Sequence, residues 1–133
     1  MVIHLFVYGT LMKGHNNCDF TGLSSQKRIG KATTYGHFAL TDGGFPFMFR
    51  SDELDQNCVV GELWCIQDED VLAEIDLLEG VDDEFYNRER LSVSCNGMLY
   101  SCSGDVASEK TVKNVAGFLP LCPTNEYKQY YWR

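Results

Sequence analysis

An α+β domain is the fold class this sequence predicts: a mixed, mostly antiparallel sheet, curved or partly closed into a barrel, with one main helix. Three observations lead there. Six segments rich in β-branched and aromatic residues, at 2–8, 30–40, 45–49, 58–66, 86–95 and 98–102, are bounded by glycine, asparagine and aspartate. One segment alone, 68–79, carries the 3.6-residue periodicity of an amphipathic helix. No repeat, linker or low-complexity tract divides the 133 residues, so they read as a single domain, 1–133, with one core.

Taken in order, the first element is apolar, β-branched or aromatic at almost every position from Val2 to Tyr8. Such a run, without Pro or Gly, reads as a strand buried on both faces. It ends at Gly9-Thr10, with a second glycine at Gly14. Residues 15–29 are polar and mixed, with a short helix or irregular piece around Cys18 to Leu23. Residues 30–40 read as a strand kinked or bulged at Gly36, and Thr41-Asp42-Gly43-Gly44 as a turn. Phe45 to Phe49 is an aromatic strand with Pro46 at its start or on an edge, and residues 50–57 form a polar surface loop.

Cys58 to Ile66 is a further strand, in which Gly61 marks a bulge or a close backbone approach. Asp68 is placed to cap the helix. Glu69 and Asp70 complement its dipole, Val71, Leu72, Ile75 and Leu78 form its apolar stripe, and Gly80 follows its end. After a loop at 81–84, residues 86–95 alternate as a strand. Asn96-Gly97 is a two-residue hairpin turn, and 98–102 returns. Residues 103–110 read as a polar loop or the start of a short helix, and Pro120 and Pro123 exclude regular helix beyond. The tail from Tyr127 to Arg133 is too aromatic for water and packs back on the body or forms an interface.

A net charge of −8 supplies no basic field for nucleic acid or an anionic membrane surface, and suits a small molecule, most comfortably a cationic one. No apolar run is long enough to span a bilayer and no leader pattern precedes the first strand, so a cytoplasmic protein is expected. Six cysteines are present without a C-x-x-C pair, and His4, His15 and His37 stand apart from paired cysteines. Reduced thiols and no metal site are expected. The oligomeric state is not legible.

Chemistry concentrates in two places. A buried strand that runs into a glycine turn leaves backbone N–H groups without ladder partners. Converging on one concavity, such groups bind an anion or carboxylate. The same residues also read as an ordinary turn. The second place is Glu79, four residues after Ile75 and seven after Leu72. If the helix persists, its carboxylate lies on the apolar side and its pKa rises; if not, it frays to solvent beside Gly80. No nucleotide-binding loop, nucleophile elbow or zinc-protease motif is present. One acid/base with backbone donors is a sufficient kit for intramolecular acyl transfer.

The run Phe6-Val7-Tyr8-Gly9-Thr10-Leu11-Met12-Lys13-Gly14 resembles the F-V-Y-G-T-L-K-x-G signature of γ-glutamylcyclotransferase-like proteins, closest to their γ-glutamylamine cyclotransferase and AIG2-like branch. Val60-Gly61-Glu62-Leu63-Trp64, Ile75-Asp76-Leu77-Leu78-Glu79-Gly80 and Tyr86-Asn87-Arg88 are similar to three further motifs of that family, in the same order. The resemblance covers residues 2 to about 93 well and the remainder poorly.

The resemblance implies a γ-glutamylcyclotransferase-like fold and the release of an amine from a γ-glutamyl amide by cyclisation to 5-oxoproline, without cofactor or metal. It implies Glu79 as catalytic acid/base and a glutamyl pocket lined by Tyr8, Gly9, Thr10 and Leu11, largely through backbone groups. Tyr86 would line the pocket or donate a hydrogen bond. Arg88 would pair with an acid such as Asp76 and hold the helix in place. Phe45, Phe47 and Trp64 read as core or pocket wall. The short hairpin at Asn96-Gly97 replaces a longer basic region of that branch, which leaves the identity of the amine open. The alternative is a protein that binds a small metabolite in the same pocket without turning it over.

Overall fold

The computed structural model describes residues 2–36, 38–42, 46–50, 58–79, 85–114 and 119–132, with the side chains of Pro46 and Glu79 outside that set. Eight strands are present among them: β1 (Ile3–Val7), β2 (Lys27–Thr34), β3 (Phe38–Asp42), β4 (Pro46–Arg50), β5 (Cys58–Ile66), β6 (Tyr86–Cys95), β7 (Met98–Ala107) and β8 (Gln129–Tyr130). The helices are α1 (Asn16–Phe20), α2 (Glu69–Glu79) and α3 (Glu109–Asn114), with a 3₁₀ turn at Leu23–Ser25.

Strands β1, β7, β6, β2 and β5 follow one another in the main sheet, and β1 also pairs with β5, so the sheet closes into a five-stranded barrel. Closure removes the edges that an open sheet would leave unpaired. All pairings are antiparallel except β1–β7 and β5–β8. The mixed, mostly antiparallel sheet with one main helix is as expected, and the curvature, expected to leave the sheet open or partly closed, goes to full closure.

β1 has the expected double burial over its second half. Phe6 points into the barrel with Leu63, Leu91 and Val93. Leu5 and Val7 point the other way, into a second core with Trp64, Ile66, Val71 and Ile75. Helix α2 covers that second core. Asp68 caps it, its Oδ1 accepting the Asp70 N–H at 2.9 Å. Val71 and Ile75 are buried as the stripe requires, but Leu78 is 40% exposed, so the stripe ends one turn early.

Three further expectations change. The strand read at 30–40 is two strands, with Gly36 at φ 108° in the break between them. The break lets β3 leave the barrel and pair with β4 as a separate hairpin. Gly61 makes no bulge; the irregular register lies on β2 between Arg28 and Gly30. What Gly61 provides is close approach, since a Cβ there would sit 2.1 Å from the Val7 carbonyl oxygen. Finally, residues 103–107 belong to β7, because the ladder with β6 runs unbroken from Cys95–Met98 to Tyr86–Ala107. Asp105 in this stretch is buried by the sheet and Ser103 half-buried, rather than left in a loop.

The Asn96-Gly97 turn has φ 52° and 77°, as a two-residue hairpin of this type demands. The tail packs back on the body: Gln129 and Tyr130 pair with Cys58 and Val59, and Tyr130 is 4% exposed. The turn at 43–44, the aromatic Phe45, the loop at 51–57 and the loop at 81–84 fall outside the described residues.

Candidate active site

The turn after β1 is fixed at both ends by its side chains. Tyr8 enters the barrel core and Leu11 the second core, which anchors the chain on either side of Gly9 and Thr10. The Met12 N–H donates to the Gly9 carbonyl at 2.9 Å, which closes a four-residue turn. Among the described residues the N–H groups of Gly9, Thr10 and Leu11 meet no acceptor, although Gly9 is buried. Buried donors rarely go without a partner, and a ligand or a water can supply one. Asn17 Nδ2 donates to Thr10 Oγ1 at 2.6 Å, which ties the start of α1 to the turn.

A carboxylate holds the far side of the turn. Glu62 on β5 is 8% exposed and its two oxygens take three donors. Oε1 accepts the Lys13 N–H at 2.7 Å and the Trp64 indole N–H at 3.3 Å, and Oε2 accepts Arg28 Nε at 2.9 Å. A carboxylate so occupied braces the backbone of the turn. The sequence had shown Glu62 within a motif without assigning it this task.

Tyr8 also reaches the neighbouring strand, its hydroxyl donating to the backbone carbonyl of Asp105 on β7 at 2.6 Å. The Asp105 carboxylate receives a two-pronged contact from Arg88: Nε to Oδ1 and Nη2 to Oδ2, both at 3.1 Å. Arg88 Nη1 lies 2.5 Å from Asp76 Oδ1 on α2, the ion pair expected of it. Burial opposes the Arg88 charge, but Asp105 and Asp76 outweigh it and hold the guanidinium protonated. Burial pushes the Asp105 carboxyl above the usual carboxylate range, by more than Arg88 pulls it down.

Tyr86 is buried two residues before Arg88 and stacks on Phe47 at 5.5 Å and 16°. Its cross-strand neighbour is Ala107, while that of Arg88 is Asp105. The structure thus gathers Tyr8, Tyr86, Arg88 and Asp105 at one end of the β6–β7 ladder, with Asp76 of α2 against them. Phe47 and Trp64 are core residues. Glu79 is the last residue of α2, four positions after the fully buried Ile75. Its side chain and Gly80 lie outside the described residues.

Asp105 is the residue that the sequence reading missed. All six cysteines are thiols, and burial raises those of Cys102 and Cys122 to about 11, which makes them poor nucleophiles. Among the described residues no three His, Cys, Asp or Glu side chains form a metal-binding group.

The family described as "Gamma-glutamyl cyclotransferase, AIG2-like" matches residues 5–127 of this chain. Among solved structures, an AIG2-like protein from Mus musculus superposes with a TM-score of 0.74 at 25% identity, over 99% of this chain and 96% of that one. YkqA from Bacillus subtilis gives a TM-score of 0.65 at 26% identity, over 80% of this chain and 36% of that one. A protein described as a gamma-glutamyl cyclotransferase shares the fold, with a TM-score of 0.60 at 16% identity over 81% of this chain and 68% of that one. No curated protein matches the sequence.

Proposed function

The chain belongs to the AIG2-like γ-glutamyl cyclotransferase family, and from that premise we propose that it releases an amine from a γ-glutamyl amide by closing the glutamyl group to 5-oxoproline. One observation carries the proposal: three consecutive backbone N–H groups, at Gly9, Thr10 and Leu11, meet no acceptor among the described residues in a turn braced by Glu62 and Asn17. Such a row of donors suits the α-carboxylate of a glutamyl group and the oxygen of its γ-carbonyl as negative charge develops there. Tyr8 and Tyr86 would wall the same pocket.

In this scheme Glu79 takes a proton from the α-ammonium. The freed amine attacks the γ-carbonyl, a five-membered lactam closes, and Glu79 returns the proton to the departing nitrogen. The nucleophile and the electrophile belong to one molecule, so no water, metal or cofactor enters the balance. Holding them in one folded conformer supplies up to about 7–11 kcal/mol of the barrier. A general acid/base adds about 10²–10⁴-fold.

A panel of γ-glutamyl amines, assayed for 5-oxoproline and free amine together, tests the proposal. Equal amounts of the two products are expected. The same row of amides would also serve a protein that only holds a carboxylate-bearing metabolite. No product from any substrate, with a carboxylate ligand co-purifying tightly, would establish that second reading instead.

A further inference from the structure

We propose that Asp105 is a positioning residue that fixes the spacing between the Gly9–Leu11 turn and the end of α2. The proposal rests on reading that turn and Glu79 as the two halves of one site. Asp105 touches both sides through different atoms. Its backbone carbonyl holds the Tyr8 hydroxyl, immediately before the turn. Its carboxylate holds Arg88 by two nitrogens, and the third guanidinium nitrogen meets Asp76. Asp76 stands three residues before Glu79 on α2, about 4.5 Å along the helix axis.

The links in this chain are stiff. Asp105 sits in a ladder paired on both sides, by β6 and by β1 next to Gly104. Its side chain is 6% exposed and that of Arg88 20%. A guanidinium is planar, so holding Nε and Nη2 on Asp105 determines where Nη1 points, and with it the place of Asp76.

Burying the Asp105 carboxyl costs solvation that Arg88 offsets only in part. A carboxyl whose folded pKa is raised is held protonated more strongly by the folded chain than by the unfolded one. Its contribution therefore favours folding at low pH and is lost as pH rises through the folded value. An Asn of the same shape offers Arg88 one acceptor oxygen and turns an N–H₂ donor toward its second nitrogen, so the two-pronged contact is lost and a guanidinium only 20% exposed is left with Asp76 alone. What the charged carboxylate supplies is the fork geometry that links β7 to α2.

Two variants and two readouts test this. For Asp105→Asn, the melting temperature is expected to fall by about 10 °C, with the protein still folded at the assay temperature. With a γ-glutamyl amide, kcat is expected to fall about tenfold or more with KM within about threefold, since the turn still holds the substrate while the acid is misplaced. Arg88→Lys keeps the charge but not the fork, and is expected to lose kcat as Asp105→Asn does. Hydrogen exchange supplies an arm independent of turnover: in Asp105→Asn the amides of residues 75–78 speed up by about tenfold more than those of the β2–β5 seam. Exchange at 75–78 that speeds up no more than that of the seam, or wild-type kcat in Asp105→Asn, overturns the proposal. So does full rescue by lysine, which would reduce the role of Arg88 to its charge. If the wild-type protein makes no 5-oxoproline, the enzymatic reading fails, and the exchange at 75–78 alone decides whether Asp105 couples β7 to α2.

Discussion

At the scale of single residues, Glu62 and Glu79 stand in different settings. Glu62 has every strong contact filled by Lys13, Trp64 and Arg28, whereas Glu79 ends a helix whose stripe faces the second core. Removing Glu62 strands two N–H donors and an arginine. Glu62→Ala is expected to destabilise the fold by about 3 kcal/mol. It is also expected to raise KM more than it lowers kcat, because the turn that receives the substrate loosens. Melting curves and steady-state kinetics on γ-glutamyl amides check both. Unaltered KM would show that the turn does not depend on this brace. Gly61 tolerates no side chain, with Val7 oxygen 2.1 Å and Phe6 Cζ 2.8 Å from any added Cβ. Gly61→Ala is expected to cost about 3 kcal/mol, a fall in Tm of about 10 °C. A Tm within about 2 °C of wild type would contradict the close packing of the β1–β5 seam.

At the scale of elements, legibility followed the range of the signal. The hairpin turn at Asn96-Gly97, the helix cap at Asp68 and the continuous run of β1 are local patterns, and each forms where the sequence placed it. The same hairpin held more than was read from it. A two-residue turn sets the whole register, and counting outward from it places Arg88 opposite Asp105. Asp105 was missed because Ser103, Gly104 and Asp105 look like loop chemistry, while a long ladder takes them into the sheet. The split between β2 and β3 was missed for a related reason. Gly36 signalled an irregularity but not its size, and β3 is drawn away by pairing with β4, a contact that periodicity does not encode. In the site itself, the turn was legible because a glycine after a buried strand has a local meaning. The brace at Glu62 and the arch from Tyr8 to Asp105 were not, because they join residues 49 and 97 positions apart.

At the scale of the whole molecule, closure of the barrel makes one rigid frame on which the turn, α2 and the β6–β7 end are mounted. Closure depends on β1 pairing on both sides, with β5 and with β7. The tail reinforces the frame from outside, with β8 on β5 and the Trp132 ring 5.0 Å from that of His15. Deleting residues 129–133 exposes Val59 and removes a buried tyrosine. It is expected to lower Tm by about 10 °C, in keeping with about 3 kcal/mol for a lost buried aromatic. An unchanged Tm would mean that the tail contributes nothing to the frame. Among the described residues no helix is long and apolar enough to cross a membrane. The acidic balance of the chain, at −8, accords with an amine as leaving group.

The central claim is that the turn holds a glutamyl group while Glu79 moves its proton. The measurement that meets it most directly is 5-oxoproline release from a γ-glutamyl amine by wild-type protein and by Glu79→Gln, with melting temperatures taken alongside. Wild type is expected to turn over, and Glu79→Gln to retain its Tm and lose activity by at least about 10²-fold. Wild-type-like 5-oxoproline production by Glu79→Gln would contradict the account.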